Sequence, residues 1–276
     1  MCTLIAGVEI LGPRTLVLGA NRDESPERAA APPGILRERP RVVGGRDLVA
    51  GGTWLAVGEA RAVTALMNRR PTPAAIMLAG ALTPAAAPPE GAPAPRSRGL
   101  LCLEAAALGG APDRPDRIDP GTGERHPARL HAALALIARD AYAACTLVGL
   151  NLDEPSWAIL AEAGRETRIR TLEPGWNVVT HADVNERDEP RTAWLLSRLE
   201  SLRPRTADEA LRELAALLVT HEEIGRAVPG VCLHRDRFPT VSSSLIALGD
   251  LGPQRYLHAP GPPCSTPYAD LSSLLA

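Results

Sequence analysis

Apolar residues in this chain fall into short runs separated by turn residues, and the first two runs predict a β-hairpin. One β-rich run covers residues 3–11, a Gly-Pro-Arg turn follows at 12–14, and a second run at 15–19 leads into Asn-Arg-Asp-Glu at 21–24. Apolar runs bounded by Gly and Pro are typical of strands joined by a turn. In a hairpin the first strand starts beside the end of the second, so we expect Cys2 to neighbour the polar tetrapeptide.

Later runs alternate between strand blocks and helical segments. A second β-rich block covers 42–68, with a hairpin turn at 58–61, and further strands are predicted at 145–150, 156–161, 167–172, 177–180, 231–234, 241–248 and 255–258. Helices are predicted at 97–108, 126–140, 190–200 and 206–225, the last opening on a capping-box pattern, Thr-Ala-Asp-Glu. Strand blocks that alternate with helix pairs predict an α+β fold with two sheets between helix layers.

Length and composition favour one domain over 1–276. The chain has 276 residues, of which 45% are hydrophobic, and no segment reads as a linker that would divide it. Stretches near 81–95 and 109–127 are rich in Pro, Ala and Gly, and we predict that both are loops. Because aromatic residues make up only 3% of the chain, Ala, Leu and Val must fill the core.

Charge and cysteine usage narrow the function classes. The net charge is −2 and no basic stripe carries interleaved aromatics, which argues against nucleic-acid binding. Five Cys residues include no C-x-x-C pair, which suits a reducing compartment. Glu9 interrupts the N-terminal apolar run, unlike a signal peptide or membrane span. We therefore expect a cytoplasmic protein, of unspecified oligomeric state.

Cys2 is the strongest candidate for chemistry, because removal of Met1 would place a free α-amine beside its thiol. An α-amine has a pKa of about 7.7 to 8.0 and a thiol about 8.5, so the amine can accept the thiol proton near neutral pH. A carboxylate in the facing tetrapeptide can orient the ammonium, and a guanidinium can favour the thiolate. The alternative is a small apolar residue that packs at a strand start.

Other motifs lack something that their chemistry requires. The Gly-rich stretch at 44–52 has no following Gly-Lys-Ser/Thr, and His221 has no second His four residues later. Cys232 and His234, predicted to share a strand face, could form half of a metal site. Since no second pair is evident, the sequence favours ordinary packing and predicts no metal. The serines at 242–244 lack the glycines of a nucleophile elbow.

Several segments together resemble a known family. Met-Cys-Thr-Leu at 1–4 followed by Asn-Arg-Asp-Glu at 21–24 is similar to the NRDE family, also called the transport and Golgi organisation protein 2 family. Further similarity lies in Ala-Gly-Gly-Thr-Trp-Leu-Ala at 50–56, Leu-Met-Asn-Arg-Arg at 66–70, Ser-Arg-Gly-Leu-Leu at 97–101, and 240–245. The resemblance implies a four-layer αββα N-terminal-nucleophile hydrolase fold, distantly similar to the choloylglycine hydrolase and acyl-transferase branch.

The resemblance also implies a reaction, cleavage or transfer at the C–N amide bond of a small N-acyl substrate, with no cofactor. Its implied catalytic residues are Cys2 as nucleophile, Asp23 as anchor of the amine, Asn68 as oxyanion donor and Arg22 as a neighbour of the thiol. Substrate binding is assigned to Asn21, Trp54, Arg69 and His181. His181 stands where the related branch carries Asn in a Thr-Asn element, and Gly-Ala precedes Asn21 where that branch has Arg.

Two other functions stay open at this stage. A non-catalytic protein on the same fold could bind or move haem or lipid, as proposed for eukaryotic members of the family. A redox-active thiol protein is the third candidate, although the sequence places no resolving Cys near Cys2. Retention of Met1 would exclude autonomous catalysis by Cys2, since the amine would then be blocked.

Overall fold

The computed structural model of the chain describes residues 2–59, 61–69, 95–108, 117–118, 125–162, 167–222, 229–250 and 252–276. Within these residues the strands are β1 (Thr3–Val8), β2 (Thr15–Asp23), β3 (Ala30–Glu38), β4 (Arg41–Asp47), β5 (Leu55–Gly58), β6 (Val63–Asn68), β7 (Arg117–Ile118), β8 (Arg125–His126), β9 (Cys145–Leu150), β10 (Ser156–Ala161), β11 (Arg168–Leu172), β12 (Gly175–Val179), β13 (Thr240–Gly249), β14 (Arg255–Ala259) and β15 (Ala269–Asp270). The α-helices are α1 (Arg98–Ala106), α2 (Ala128–Arg139), α3 (Pro190–Leu199) and α4 (Ala207–Leu218), and a 3₁₀ turn follows at Ser272–Leu275.

Two antiparallel sheets form the centre of the fold. The first has the order β12-β1-β2-β13-β14-β15, and the second has the order β11-β10-β9-β6-β5-β4-β3. The predicted hairpin is present, with β1 paired to β2 and Thr3 opposite Asn21. Every residue of β1 and β2 is buried, as expected for short apolar runs covered on both faces.

Helices cover the outer faces of both sheets. One apolar core lies between the sheets and draws on β1, β2, β5, β6 and β9. A second core joins the first sheet to α3 and α4, and a third joins the second sheet to α1 and α2. This arrangement confirms the predicted four-layer αββα sandwich.

Most predicted elements are present, but the strand predicted at 231–234 is wrong. The backbone N–H groups of Val231 and Cys232 both donate to the Thr220 carbonyl oxygen, so this segment is tied to the end of α4 and lies outside both sheets. The helix predicted over 206–225 starts as expected, with the Thr206 hydroxyl accepting from the Glu209 N–H, but it ends at Leu218.

Two features were not anticipated from the pattern. β3 includes two prolines, which an edge strand tolerates because one side of it makes no ladder hydrogen bonds, and β3 is the last strand of its sheet. Most of the loops predicted near 81–95 and 109–127 lies outside the described residues, but β7 pairs with β8 inside the second loop. Among the described helices, none combines the length and hydrophobicity needed to cross a bilayer.

Candidate active site

A cavity of about 1030 Å³ opens where the end of β2 meets the end of β6 and the start of α1. Five of the eight residues predicted for the site line this cavity: Arg22, Asp23, Trp54, Asn68 and Arg69. They come from segments far apart in the sequence, so the fold brings together most of what the motifs indicated. The remaining three, Cys2, Asn21 and His181, are not among the lining residues.

Cys2 lies directly before β1 and beside the end of β2. Its Sγ is 3.9 Å from the backbone carbonyl oxygen of Asp23, and the residue is half-buried against the core between the sheets. The antiparallel register explains this position, because Thr3 pairs with Asn21 and the preceding residue therefore falls beside the Arg22–Asp23 segment. The predicted proximity of Cys2 to the tetrapeptide is present.

Asp23 carries a carboxylate in a fully buried position, since its side chain is 0% exposed. The Thr240 hydroxyl donates to Asp23 Oδ1 at 2.7 Å, and Arg191 Nη1 lies 3.7 Å from Asp23 Oδ2. Arg191 also donates to the Thr3 hydroxyl at 2.9 Å. Burial raises the pKa of Asp23 above its ordinary value, although the Thr240 hydrogen bond and the Arg191 charge act in the opposite direction.

The thiol of Cys2 is less acidic than the sequence suggested. Burial raises its pKa, and the charge of Asp23 raises it further, whereas Arg22 lowers it by a smaller amount. The expectation that a neighbouring guanidinium favours the thiolate is thus outweighed by desolvation of the sulfur. A neutral thiol needs a proton acceptor at the moment of attack.

Asn68 and Arg69 follow each other at the end of β6 but have different environments. Asn68 is exposed to the cavity, with its backbone opposite Cys145 of β9. Arg69 is buried, and its guanidinium donates to the Thr146 hydroxyl, the Ala182 carbonyl oxygen and the carboxylates of Glu162 and Asp183. The donors of Arg69 are therefore engaged by the protein itself, which does not support its predicted contact with substrate.

Asn21 and His181 do not reach the cavity. Asn21 is fully buried, and its Nδ2 donates to the carbonyl oxygens of Leu218 and Val231 at 2.9 and 3.0 Å. Side chains alternate along a strand, so Asn21 faces the helix layer while Arg22 faces the cavity. His181 is half-buried outside the lining. Their contacts with substrate therefore stay predictions, and a second oxyanion donor stays unassigned.

The Gly-Gly-Thr-Trp segment docks on the start of α1. A Cβ atom at Gly52 would lie 2.2 Å from the carbonyl carbon of Gly99, and the Thr53 N–H donates to the Gly99 oxygen at 3.0 Å. Only glycine allows so close an approach of two backbones. Trp54 then packs against the core between the sheets and lines the cavity. This contact gives a structural reason why the segments at 50–56 and 97–101 both belong to the family resemblance.

Sequence reasoning missed four residues near the site: Arg98, Arg191, Thr240 and His258. Thr240 begins a segment that carried family similarity, so that match was its signal. His258 is buried, and its Nδ1 lies 3.0 Å from the hydroxyl oxygen of Ser244. Burial lowers the pKa of His258 to about 4. Nothing in the pattern distinguishes Arg191 from the other arginines of the chain.

Comparisons with known proteins agree with the sequence resemblance. The model of the Transport and Golgi organisation 2 family matches residues 1–107, which confirms the recognised family signature over that segment. No curated protein sequence matches the chain significantly.

Solved structures with the same architecture include two enzymes. The Caenorhabditis elegans N-acylethanolamine-hydrolyzing acid amidase ortholog is 13% identical with a TM-score of 0.52, over 89% of this chain and 92% of that chain. Penicillin V acylase from Agrobacterium tumefaciens is 9% identical with a TM-score of 0.52, over 100% of this chain and 88% of that chain. At these identities the likeness shows the fold, that of the N-terminal-nucleophile hydrolases.

Proposed function

We propose that this chain, which carries the Transport and Golgi organisation 2 signature over 1–107 on an N-terminal-nucleophile hydrolase fold, is a cysteine amidohydrolase or acyltransferase for a small N-acyl amide. The observation that carries the proposal is the placement of Cys2 Sγ 3.9 Å from the backbone carbonyl oxygen of Asp23, a residue that combines a buried carboxylate with a position in the lining of a cavity large enough for a small molecule. A buried carboxylate is stabilised by a cation close to it. The α-amine of a processed Cys2 would supply one.

The reaction uses Cys2 for both nucleophile and base once Met1 is removed. The α-amine accepts the Sγ proton as sulfur attacks the carbonyl carbon of the amide, and Asp23 holds the resulting ammonium. The amide Nδ2 of Asn68 donates to the oxyanion. The ammonium then returns the proton to the departing nitrogen, the C–N bond breaks, and a thioester remains on Cys2. Water or an acceptor amine attacks this thioester and regenerates the thiol.

The cavity lining favours a substrate with a negatively charged group. The cavity lining contains six arginines and three acidic residues. The arginines are Arg22, Arg28, Arg46, Arg69, Arg96 and Arg98, and the acidic residues are Asp23, Glu24 and Asp47. Among the described residues, Arg46 and Arg98 are the two of these arginines with no carboxylate within 4 Å of the guanidinium, and they donate to the carbonyl oxygens of Leu36 and Ala144. Arg98 lies at the start of α1, where this helix meets the cavity. We assign Arg98 as the group that binds a substrate carboxylate.

Trapping of an acyl-enzyme tests the proposal. Protein with Met1 removed, as verified by intact mass, is incubated with N-acyl amides, and peptide mapping is expected to find the acyl group on Cys2. Cys2→Ala abolishes both the adduct and turnover, whereas Cys102→Ala, which removes a buried thiol outside the cavity, preserves both.

The alternative haem or lipid carrier gives the opposite pattern. It predicts saturable ligand binding that survives Cys2→Ala, together with no acyl adduct on any substrate of the panel. That combination, or a purified native protein that retains Met1, overturns the hydrolase proposal.

A further inference from the structure

Two histidines and two cysteines meet at the surface near the end of α4, outside the lining of the cavity. His221 follows α4, Cys232 and His234 lie in the segment that leads to β13, and Cys264 lies between β14 and β15. Their four ligand atoms all lie within 4.8 Å of one another. The proposed reaction uses none of these four residues.

Four of the six distances between the ligand atoms are close to those of a tetrahedron around a metal ion. The two sulfur atoms are 3.6 Å apart, the two Nε2 atoms are 3.2 Å apart, and His234 Nε2 lies 3.2 Å from Cys264 Sγ and 3.8 Å from Cys232 Sγ. Zinc bonds of about 2.3 Å to sulfur and about 2.05 Å to nitrogen give tetrahedral edges of about 3.8 Å for S–S, about 3.4 Å for N–N and about 3.6 Å for S–N. Each of these four distances is within about 0.4 Å of its ideal edge. The distances from His221 to the two sulfur atoms lie within 4.8 Å, so His221 must move toward the sulfur atoms to complete the tetrahedron.

Hydrogen bonding alone does not account for this convergence. His234 Nε2 faces His221 Nε2 and both sulfur atoms, yet a ring nitrogen carries either one proton or one lone pair. It can make one strong hydrogen bond, and three neighbours surround it. A cation at the centre accepts the lone pairs of both imidazoles and both thiolates at once.

We propose that His221, Cys232, His234 and Cys264 bind a zinc ion as a closed structural site. Thiolate and imidazole are ligands that zinc prefers, and a complete set of four protein ligands leaves no position for a reacting water. Zinc binding displaces the two thiol protons to solvent, and it forms two Zn–S and two Zn–N bonds without oxidation or reduction.

The position of the site suggests what the metal stabilises. It joins the end of α4, the segment before β13 and the C-terminal part of the chain, three segments that no strand pairing connects at this point. The Leu233 N–H donates to the Thr240 hydroxyl at 2.9 Å, and that hydroxyl donates to Asp23. Zinc bound to Cys232 and His234 on either side of Leu233 would hold this chain of hydrogen bonds in place from outside the cavity.

Metal analysis of the full-length, tag-free protein tests the site. Protein purified without chelators is expected to contain about one zinc per chain, and Co²⁺ added to the chelator-treated protein is expected to give the absorption bands of a tetrahedral thiolate site. Cys264→Ser and His221→Gln each lower zinc affinity by at least about 100-fold, because loss of a ligand costs more than loss of its supporting contacts. Cys2→Ala is the matched thiol control and keeps its zinc.

Two results overturn the proposal: folded protein that binds neither zinc nor Co²⁺ at this site, or a disulfide between Cys232 and Cys264 in the freshly purified protein. If Cys264→Ser fails to fold, His221→Gln decides, since His221 is exposed and its replacement disturbs no core packing. Metal content is measured without any substrate. A protein that binds zinc and hydrolyses nothing would therefore refute the proposed enzyme while leaving this site intact.

Discussion

At the scale of single residues, the site depends on the buried carboxylate of Asp23, which is stabilised by one charged partner and one hydrogen-bond donor. Arg191 supplies charge to Asp23 at 3.7 Å, and Thr240 supplies a hydrogen bond at 2.7 Å. Thr240 also accepts from the Leu233 N–H, so its hydroxyl serves a buried acceptor and a buried donor at once. Removal of one such hydroxyl leaves two polar groups unsatisfied in a site without water access.

Thr240→Val is expected to lower the free energy of unfolding by about 1 to 3 kcal/mol, because Val has the same shape without the hydroxyl. Thr240→Ser retains the hydroxyl and is the matched control, with a smaller loss. Urea unfolding of the three proteins measures the difference. A loss in Thr240→Ser with none in Thr240→Val would show that the methyl group, rather than the hydrogen bonds, matters at this position.

Arg98→Gln tests the assignment of a substrate carboxylate. A charge-assisted hydrogen bond contributes about 1.5 to 3 kcal/mol, so the variant is expected to raise KM for an N-acyl amide carrying a carboxylate by about 10- to 100-fold. The KM for the neutral analogue of the same acyl amide stays unchanged. Steady-state kinetics with the paired substrates decides, and equal effects on both would remove the carboxylate from the assignment.

The position of a residue could be predicted from the sequence where its motif also indicated the strand register. Asp23 and Asn68 each end a strand whose position was clear, so their meeting in one cavity followed from the topology. Asn21 lies outside the cavity lining because one step along a strand reverses the face, and the sequence does not state which face meets the cavity. Arg191 could not be found, since its proximity to Asp23 arises only when α3 docks on the first sheet.

At the scale of elements, the close contact between the segment at 50–56 and α1 positions one wall of the cavity. Gly52 meets Gly99 where no side chain fits, and the adjoining Thr53 N–H bonds to the same residue. Arg98 lies in the first turn of α1, so this contact also sets where its guanidinium lies.

Gly52→Ala is expected to lower the free energy of unfolding by about 1 to 3 kcal/mol or more, because the added methyl group would overlap backbone atoms that cannot rotate away. Gly34→Ala is the control, since a Cβ at Gly34 meets nothing within 4 Å and its backbone has no positive φ. Its effect should stay within about 0.5 kcal/mol. Chemical denaturation followed by circular dichroism compares the two, and an equal response would argue against the steric explanation.

Element boundaries could be predicted where apolar runs were flanked by clear turn residues. β9 and β10 have the bounds that the sequence predicts, 145–150 and 156–161. The segment at 231–234 looks like a strand because it alternates, yet its N–H groups bond to the end of α4. Local pattern does not reveal which acceptor a backbone group will find.

At the scale of the whole molecule, the four layers place two different kinds of site at separate locations. The cavity lies between strand ends and loops, and the His/Cys cluster lies on the surface beside a helix end. Alternating strand blocks and helix pairs predicted the layers. The cluster could not be predicted as a set, because His221 and Cys264 join Cys232 and His234 only through long-range folding, and no repeated spacing marks them.

The pH dependence of the free energy of unfolding tests whether His258 is buried in the folded protein. Its pKa is about 4 in the folded protein because of burial, against about 6.5 in the unfolded chain. Between these values the unfolded chain binds the extra proton, so His258 contributes stability that is fully present above about pH 6.5 and is lost as the pH falls toward 4. The shift corresponds to about 2 to 3 kcal/mol, allowing for the partial accessibility of the ring.

Wild-type protein should therefore lose about 2 to 3 kcal/mol more than His258→Asn when the free energy of unfolding is measured by urea at pH 7 and again near pH 4. Asp23 has a raised pKa and acts with the opposite sign, since the folded state then holds its proton more tightly than the unfolded chain. That contribution is present in both proteins and cancels in the comparison. Parallel pH profiles for the two proteins would mean that the imidazole of His258 is hydrated in the folded state, rather than desolvated beside the Ser244 hydroxyl.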